Sequence, residues 1–175
     1  MRKNFIRAAA GLAALGLLAG TSAALACPKA VVVEDTESWV PMNDLGPSVE
    51  AKISDPQIEC TMEEGKAVAK LRFRMTGKSA SAGKVDLPYF VAVAYMQSAE
   101  PTLISKEIVT RTVNFPAGNQ DMSAEEEMTD IEIPLKPMVG SRDYHVLVGF
   151  QLKPEQLEKR RDSSGGLFGF VRGLF

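Results

Sequence analysis

The sequence has only one histidine, two cysteines and one tryptophan among its 175 residues. A single histidine, His145, excludes a metal site built from several histidines, and no HExxH or paired CxxC motif offers ligands at metal-binding spacing. There is also no G-x-S-x-G nucleophile elbow, no P-loop and no GxGxxG turn. These absences give little support to an enzyme, and they favour His145 as an ordinary strand residue.

Charge is missing from a long stretch near the start of the chain. The basic residues Arg2, Lys3 and Arg7 precede an uncharged run, residues 8–26, in which Ala, Leu and Gly dominate. The run ends on A-L-A, which puts small residues where a signal peptidase requires them. A transmembrane anchor is the alternative, but no basic cluster follows the run. Residues 1–26 are therefore predicted to be a cleaved signal peptide.

Cys27 comes directly after the predicted cleavage site and has two alternative roles. Export to an oxidising compartment permits a disulfide with Cys60, which closes a loop of about 34 residues and is worth about 3–4 kcal/mol. A lipoprotein signal is the other role, although Ala24 and Leu25 stand in the reverse of its usual order. The two roles exclude each other, because a lipid thioether at Cys27 leaves no sulfur for Cys60.

The predicted mature chain, residues 27–175, is long enough for one domain with a substantial core. It keeps 17 of the 20 basic side chains and all 22 acidic ones, so its net charge is −5. A mildly acidic protein is a poor candidate for binding nucleic acid or an anionic membrane surface.

Most of the mature chain has the two-residue alternation of half-buried strands. In the clearest example, residues 67–76, Ala69, Leu71, Phe73 and Met75 point one way. The run from Pro88 to Gln97 is apolar on both faces, which predicts a central strand. The predicted strands are Ala30–Glu34, Ser48–Ser54, Gln57–Met62, Ala67–Thr76, Pro88–Gln97, Leu103–Phe115, Glu125–Leu135 and Asp143–Leu152. About eight short strands without a βαβ rhythm indicate an all-β fold, an antiparallel immunoglobulin-like β-sandwich, over residues 27–153.

The C-terminal part has a different composition. Residues 154–161 (PEQLEKRR) start with Pro and end with basic side chains, as a short helix does. Residues 162–175 are predicted to be a flexible linker followed by an amphipathic tail. The apolar stripe of the tail consists of Leu167, Phe168, Phe170, Val171, Leu174 and Phe175. Nine residues with this glycine content do not hold a helix in water, so the tail needs its own domain, a membrane interface or a partner groove to become ordered.

Two stripes of charge follow two of the predicted strands. Lys70, Arg72 and Arg74 line one face of the first strand. Glu126, Asp130 and Glu132 are predicted to line one face of a later strand. We expect the two stripes to offset each other across a sheet, and a patch for an anionic partner is the alternative.

Several stretches resemble a group of small alphaproteobacterial envelope proteins that are often labelled lipoproteins. The stretches are CPKAVVVEDTESW, IECTM, LPYFVAVAY, KEIVTRTVNFP, EIPL and YHVLVGFQLKPEQLEKRR. The resemblance covers residues 27–161 and omits the Phe-rich tail. Members of the group look to carry a lipid on a separate cysteine upstream of a Cys-Pro pair, so Cys27 corresponds to the cysteine of that pair. The resemblance implies a location and a fold, and it implies no activity.

The sequence therefore predicts an exported, non-enzymatic structural or interaction module of the cell envelope, in the periplasm or on the periplasmic face of the outer membrane. We expect a Cys27–Cys60 disulfide, no cofactor, no nucleic acid, and contact with an envelope protein or a membrane interface through the tail. One alternative is a lipoprotein anchored through Cys27. Another is a small-ligand-binding sandwich with Tyr89, Tyr95 and Tyr144 near a pocket.

Overall fold

The computed structural model describes residues 27–41, 49–97, 101–116, 121–137 and 139–158. Eight strands form two four-stranded sheets. The strands are β1 (Lys29–Val32), β2 (Ser38–Trp39), β3 (Val49–Glu63), β4 (Lys66–Ser79), β5 (Gly83–Tyr95), β6 (Thr102–Phe115), β7 (Asp121–Pro134) and β8 (Tyr144–Phe150). A short 3-10 helix, Ser141–Asp143, precedes β8, and residues 154–158 are helical (α1).

The two sheets confirm the predicted all-β sandwich. Sheet A has the strand order β1-β8-β5-β6, and sheet B has the order β2-β3-β4-β7. All pairings are antiparallel except that of β1 with β8, which is parallel. These strand orders do not confirm the immunoglobulin-like detail of the prediction. The chain between β1 and β2 passes from sheet A to sheet B. At its start the backbone N–H of Val33 donates to the Val148 carbonyl of sheet A, and at its end the Glu37 carbonyl accepts from the Ile53 N–H of sheet B.

The core lies between the inner faces of the sheets. On β4 the predicted inward set, Ala69, Leu71, Phe73 and Met75, is at most 2 % exposed, as the alternation requires. Sheet A faces it with alternate residues of β5 and β8, and Phe73 meets Tyr89 edge to face at 5.3 Å between ring centres. The same core receives Leu157 from α1. The described helix confirms the first part of the predicted helical segment 154–161.

One break between predicted strands is wrong. Ser48–Ser54 and Gln57–Met62 were expected to be two strands interrupted at Asp55-Pro56, whereas β3 runs through all of them. The interruption is a bulge, at which the register with β4 shifts between Ser54 and Gln57 and Asp55 takes a φ of 53°. Aspartate tolerates this left-handed conformation better than most side chains do. The short strand β2 was not predicted.

A second bulge corrects the predicted faces of β7. The register with β4 shifts between Ala69 and Leu71, and Asp130 on β7 has a φ of 58°. The extra residue reverses the alternation along the strand. Glu126 therefore points between the sheets, opposite Phe73, whereas Glu132 points outward. The predicted acidic stripe of Glu126, Asp130 and Glu132 is wrong as a single face. Strand β7 is the edge of sheet B and ends at Pro134, whose ring nitrogen has no hydrogen to donate to a further ladder bond.

Several predicted segments lie outside the described residues. They are the signal peptide, residues 1–26, the end of the helical segment, residues 159–161, and the linker and tail, residues 162–175. Among the described residues, no helix is long and apolar enough to cross a membrane.

Candidate interaction surfaces

Cys27 and Cys60 form a disulfide, as predicted, with 5.6 Å between their Cα atoms. Cys27 stands just before β1 of sheet A, and Cys60 lies in β3 of sheet B, where it packs against the core. The bond therefore ties one sheet to the other near the start of the domain. A bonded Cys27 has no thiol left for a lipid.

The outer face of sheet B carries a ladder of opposite charges. Lys70 and Arg72 both reach Glu127 at 2.8 Å, and Arg72 also contacts Glu59 at 3.0 Å. The hydrogen bonds from Lys70 and Arg72 lower the pKa of Glu127. Arg74 meets Asp55 at 3.3 Å. The expectation that the basic stripe is offset across the sheet is confirmed, although its partners are Glu127, Glu59 and Asp55 rather than the predicted acidic set.

Sheet A differs, because its outer face is apolar. Successive rows across the strands place Phe90 beside Gly149 and Ile108, and Ala92 beside Leu147 and Lys106. Members of the outer cluster are at most 6 % exposed: Val33, Phe90, Ala92, Ala94 and Leu147, with Val31 and Met96 packed against them. We name this surface the apolar outer face. Ile108 lies at its margin and is 56 % exposed.

Basic groups border the apolar outer face. The Lys106 ammonium lies 4.8 Å from the centre of the Phe90 ring, a cation–π distance, and burial lowers its pKa. His145 of β8 lies beside Ala94 of β5 on one side and beside Lys29 of β1 on the other. Burial, and then the charge of Lys29, lower the pKa of His145. The neutral imidazole is therefore favoured here, and the geometry supports the ordinary strand role expected for this residue.

One end of the apolar outer face opens into a cleft of about 960 Å³. Its lining includes Trp39, Gln156, and Pro88 and Thr110 of sheet A. The amide of Gln156 also donates to the Val40 carbonyl at 2.8 Å, which fixes α1 against the chain leaving β2. Helix α1 thus lies at the end of the sandwich, with Leu157 in the core and Gln156 near Pro88 and Thr110.

The tyrosines considered for ligand binding belong mainly to the core. Tyr89 and Tyr144 are 2 % and 0 % exposed. Burial, with a contribution from the Glu126 charge, raises the pKa of Tyr89 to about 12. Tyr95 packs against Tyr144 with 5.2 Å between ring centres and donates its hydroxyl proton to Gln97. The buried side chains of Tyr89 and Tyr144 therefore do not offer their hydroxyl groups to an open ligand site.

Glu126 is a carboxylate on the inner face of β7, opposite β6. It lies 2.9 Å from the Arg111 guanidinium and is 11 % exposed. The oxygen in this contact accepts no hydrogen bond of good geometry. The pair therefore joins the edge strands of the two sheets mainly by charge. Sequence reasoning missed it, because the bulge at Asp130 decides which way Glu126 points.

The described residues contain no cluster of three or more His, Cys, Asp or Glu side chains that is suited to a metal ion. The predicted contact residues of the tail, from Leu167 to Phe175, lie outside the described part. Comparisons with protein-family models, with curated proteins and with solved structures give no match. The class established here is a disulfide-linked, two-sheet β-sandwich. The resemblance to alphaproteobacterial envelope proteins stays a prediction.

Proposed function

We propose that this chain is an exported, non-enzymatic interaction module of the cell envelope. In this proposal the sandwich is a rigid platform, and its apolar elements, the outer face of sheet A and the tail of residues 167–175, contact an envelope protein or a membrane interface. The observation that carries the proposal is the contrast between the two outer faces. Sheet B presents paired charges to solvent, whereas the outer side of sheet A carries apolar side chains that are at most 6 % exposed.

The disulfide supports the location. Structural disulfides persist in oxidising compartments, and this bond uses both cysteines of the chain. Together with the signal-like residues 1–26, it favours the periplasm or the periplasmic face of the outer membrane. Fractionation of cells that produce the full chain tests this, since recovery of uncleaved protein from the cytosol contradicts export.

Contact through the tail is tested with residues 27–175 and two tail variants. Phe168→Asn combined with Phe170→Asn removes aromatic side chains from the apolar stripe, and Arg172→Gln is the matched control on the opposite side of the stripe. We expect the control and the unchanged protein, but not the double variant, to float with phosphatidylethanolamine vesicles or to retain an envelope protein after crosslinking.

Equal behaviour of all three proteins in both assays contradicts the proposed contact. Intact mass of the purified protein checks the remaining alternative, because a diacylated Cys27 adds the mass of a lipid and a disulfide does not.

A further inference from the structure

The apolar outer face of sheet A is unusual for a sandwich of two layers. The outward side chains of an antiparallel sheet are normally polar and in contact with water, and a sheet that is apolar on both sides is normally covered on both. Here Ala92 and Leu147 face outward and are 1 % and 2 % exposed. The clustered residues all come from sheet A or the chain next to it. A third layer on this sheet is the arrangement that accounts for them.

We propose that the third layer is the tail of the same chain, and that residues 167–175 lie on the apolar outer face while no partner is bound. The inference deepens the proposed function, because it names what covers this surface in the resting protein and what a partner or membrane has to displace. It rests on the proposed role of the tail as the contact element.

The length of chain beyond the described residues allows this. The description ends at residue 158, beside the cleft that adjoins Pro88 and Thr110 on the outer side of sheet A. Residues 159–166 reach up to about 27 Å when extended. From Pro88 to Ala94 the outer face measures about 20 Å along β5. A nine-residue helix is about 14 Å long, so the tail fits on the face without crossing the molecule.

The chemistry of the two surfaces is also complementary. The tail has six apolar side chains on one stripe, and the outer cluster likewise consists of apolar side chains. The other apolar segment beyond the described residues, residues 8–26, is predicted to be removed on export, which leaves the tail as the occupant.

Thiol labelling tests the inference with a matched pair of alanines. Ala92 is 1 % exposed on the outer face of sheet A, and Ala69 is 2 % exposed between the sheets. Because Cys27 and Cys60 are bonded, Ala92→Cys or Ala69→Cys supplies the sole free thiol. Each is made in residues 27–175 with the unchanged tail and with the Phe168→Asn, Phe170→Asn tail, and its reaction with a maleimide is timed.

We expect the thiol at position 92 to react about tenfold faster or more when the tail is altered, because the tail no longer covers it. The thiol at position 69 should stay slow with either tail. Equal rates at position 92 with both tails overturn the inference. Faster reaction at both positions overturns it as well, since the tail then supports the core and does not cover the face. Ala94→Cys, at a site 2 % exposed on the same face, replaces Ala92→Cys if that variant does not fold.

Two further measurements distinguish the tail from a second copy of the chain as the cover, and distinguish this inference from the proposed function. Light scattering should give a monomer, and a dimer overturns the assignment to the chain's own tail, because a second copy then supplies the cover. Phosphatidylethanolamine vesicles should speed labelling at position 92 if the tail leaves for a membrane. If the unchanged tail slows labelling at position 92, and neither vesicles nor envelope extract speeds it, the inference is upheld and the proposed function is contradicted.

Discussion

Loss of the disulfide should destabilise the domain by an amount that the structure allows us to estimate. The bond joins residues 33 positions apart and links the two sheets. In the chain-entropy model, a loop of this length restricts the unfolded chain by about 12.5 cal/mol/K, which is about 3.7 kcal/mol at 25 °C. With a urea dependence of about 2 kcal/mol/M, the unfolding midpoint should fall by about 2 M.

The assay is urea unfolding of residues 27–175, followed by circular dichroism, for the oxidised protein, the reduced protein and the Cys27→Ser, Cys60→Ser double variant. Reduction and substitution should give nearly the same loss, because both release the same loop. Cys60 also packs against the core, so the variant should lose slightly more than the reduced protein. A loss below about 1 kcal/mol in both comparisons would refute the view that the bond limits the unfolded chain.

Three further perturbations have expected outcomes that follow from the structure. Gly149→Ala should lower the unfolding free energy by about 1–3 kcal/mol or more, measured in urea, since a Cβ there would overlap the Oγ1 of buried Thr36; a neutral result would contradict the close approach. His145→Gln should flatten the pH dependence of the thermal midpoint between pH 7.5 and 5.5. The folded state lowers the pKa of His145, so it favours the neutral imidazole, and the stability of the protein falls as the pH drops through about 6.5. An unchanged pH dependence in the variant would exclude His145 as its source. Arg111→Met should cost about 1–3 kcal/mol by leaving the interior carboxylate unpaired, and adding Glu126→Gln should recover part of it; purely additive losses would show that the pair does not interact.

The alternation of apolar residues was enough to predict the architecture. In β4 every second residue from Ala69 to Met75 lies in the core, as the pattern required, and the two-sided apolar run predicted β5 as a central strand of its sheet. These predictions succeed because strand faces follow directly from a period of two residues.

The two bulges mark the limit of this reasoning. Asp55-Pro56 has the sequence of a chain break, and Asp130 sits inside an acidic run with no turn signal, yet each occupies a left-handed position within a continuous strand. A single added residue reverses every face that follows it. The inward position of Glu126 therefore depends on pairing with β4, which the local sequence does not specify.

The candidate surface was predictable only in part. The apolar run of β5 predicted a central position in the sheet, which is correct. The same run also places the buried Ala92 and Ala94 on the outer side of sheet A. That consequence requires knowing that the fold has two layers and that Leu147 of β8 continues the same face. Sequence periodicity describes one strand at a time, whereas a surface is assembled from several.

The parallel pairing of β1 with β8 sets the order in which this domain is completed. Sheet A acquires its last neighbour only when Lys29–Val32, from the beginning of the domain, meets Tyr144–Phe150, from its end. Contacts between such distant parts of a chain form slowly, because their ends must first find each other. Until β8 has formed, the margin of sheet A that β1 occupies therefore stays incomplete.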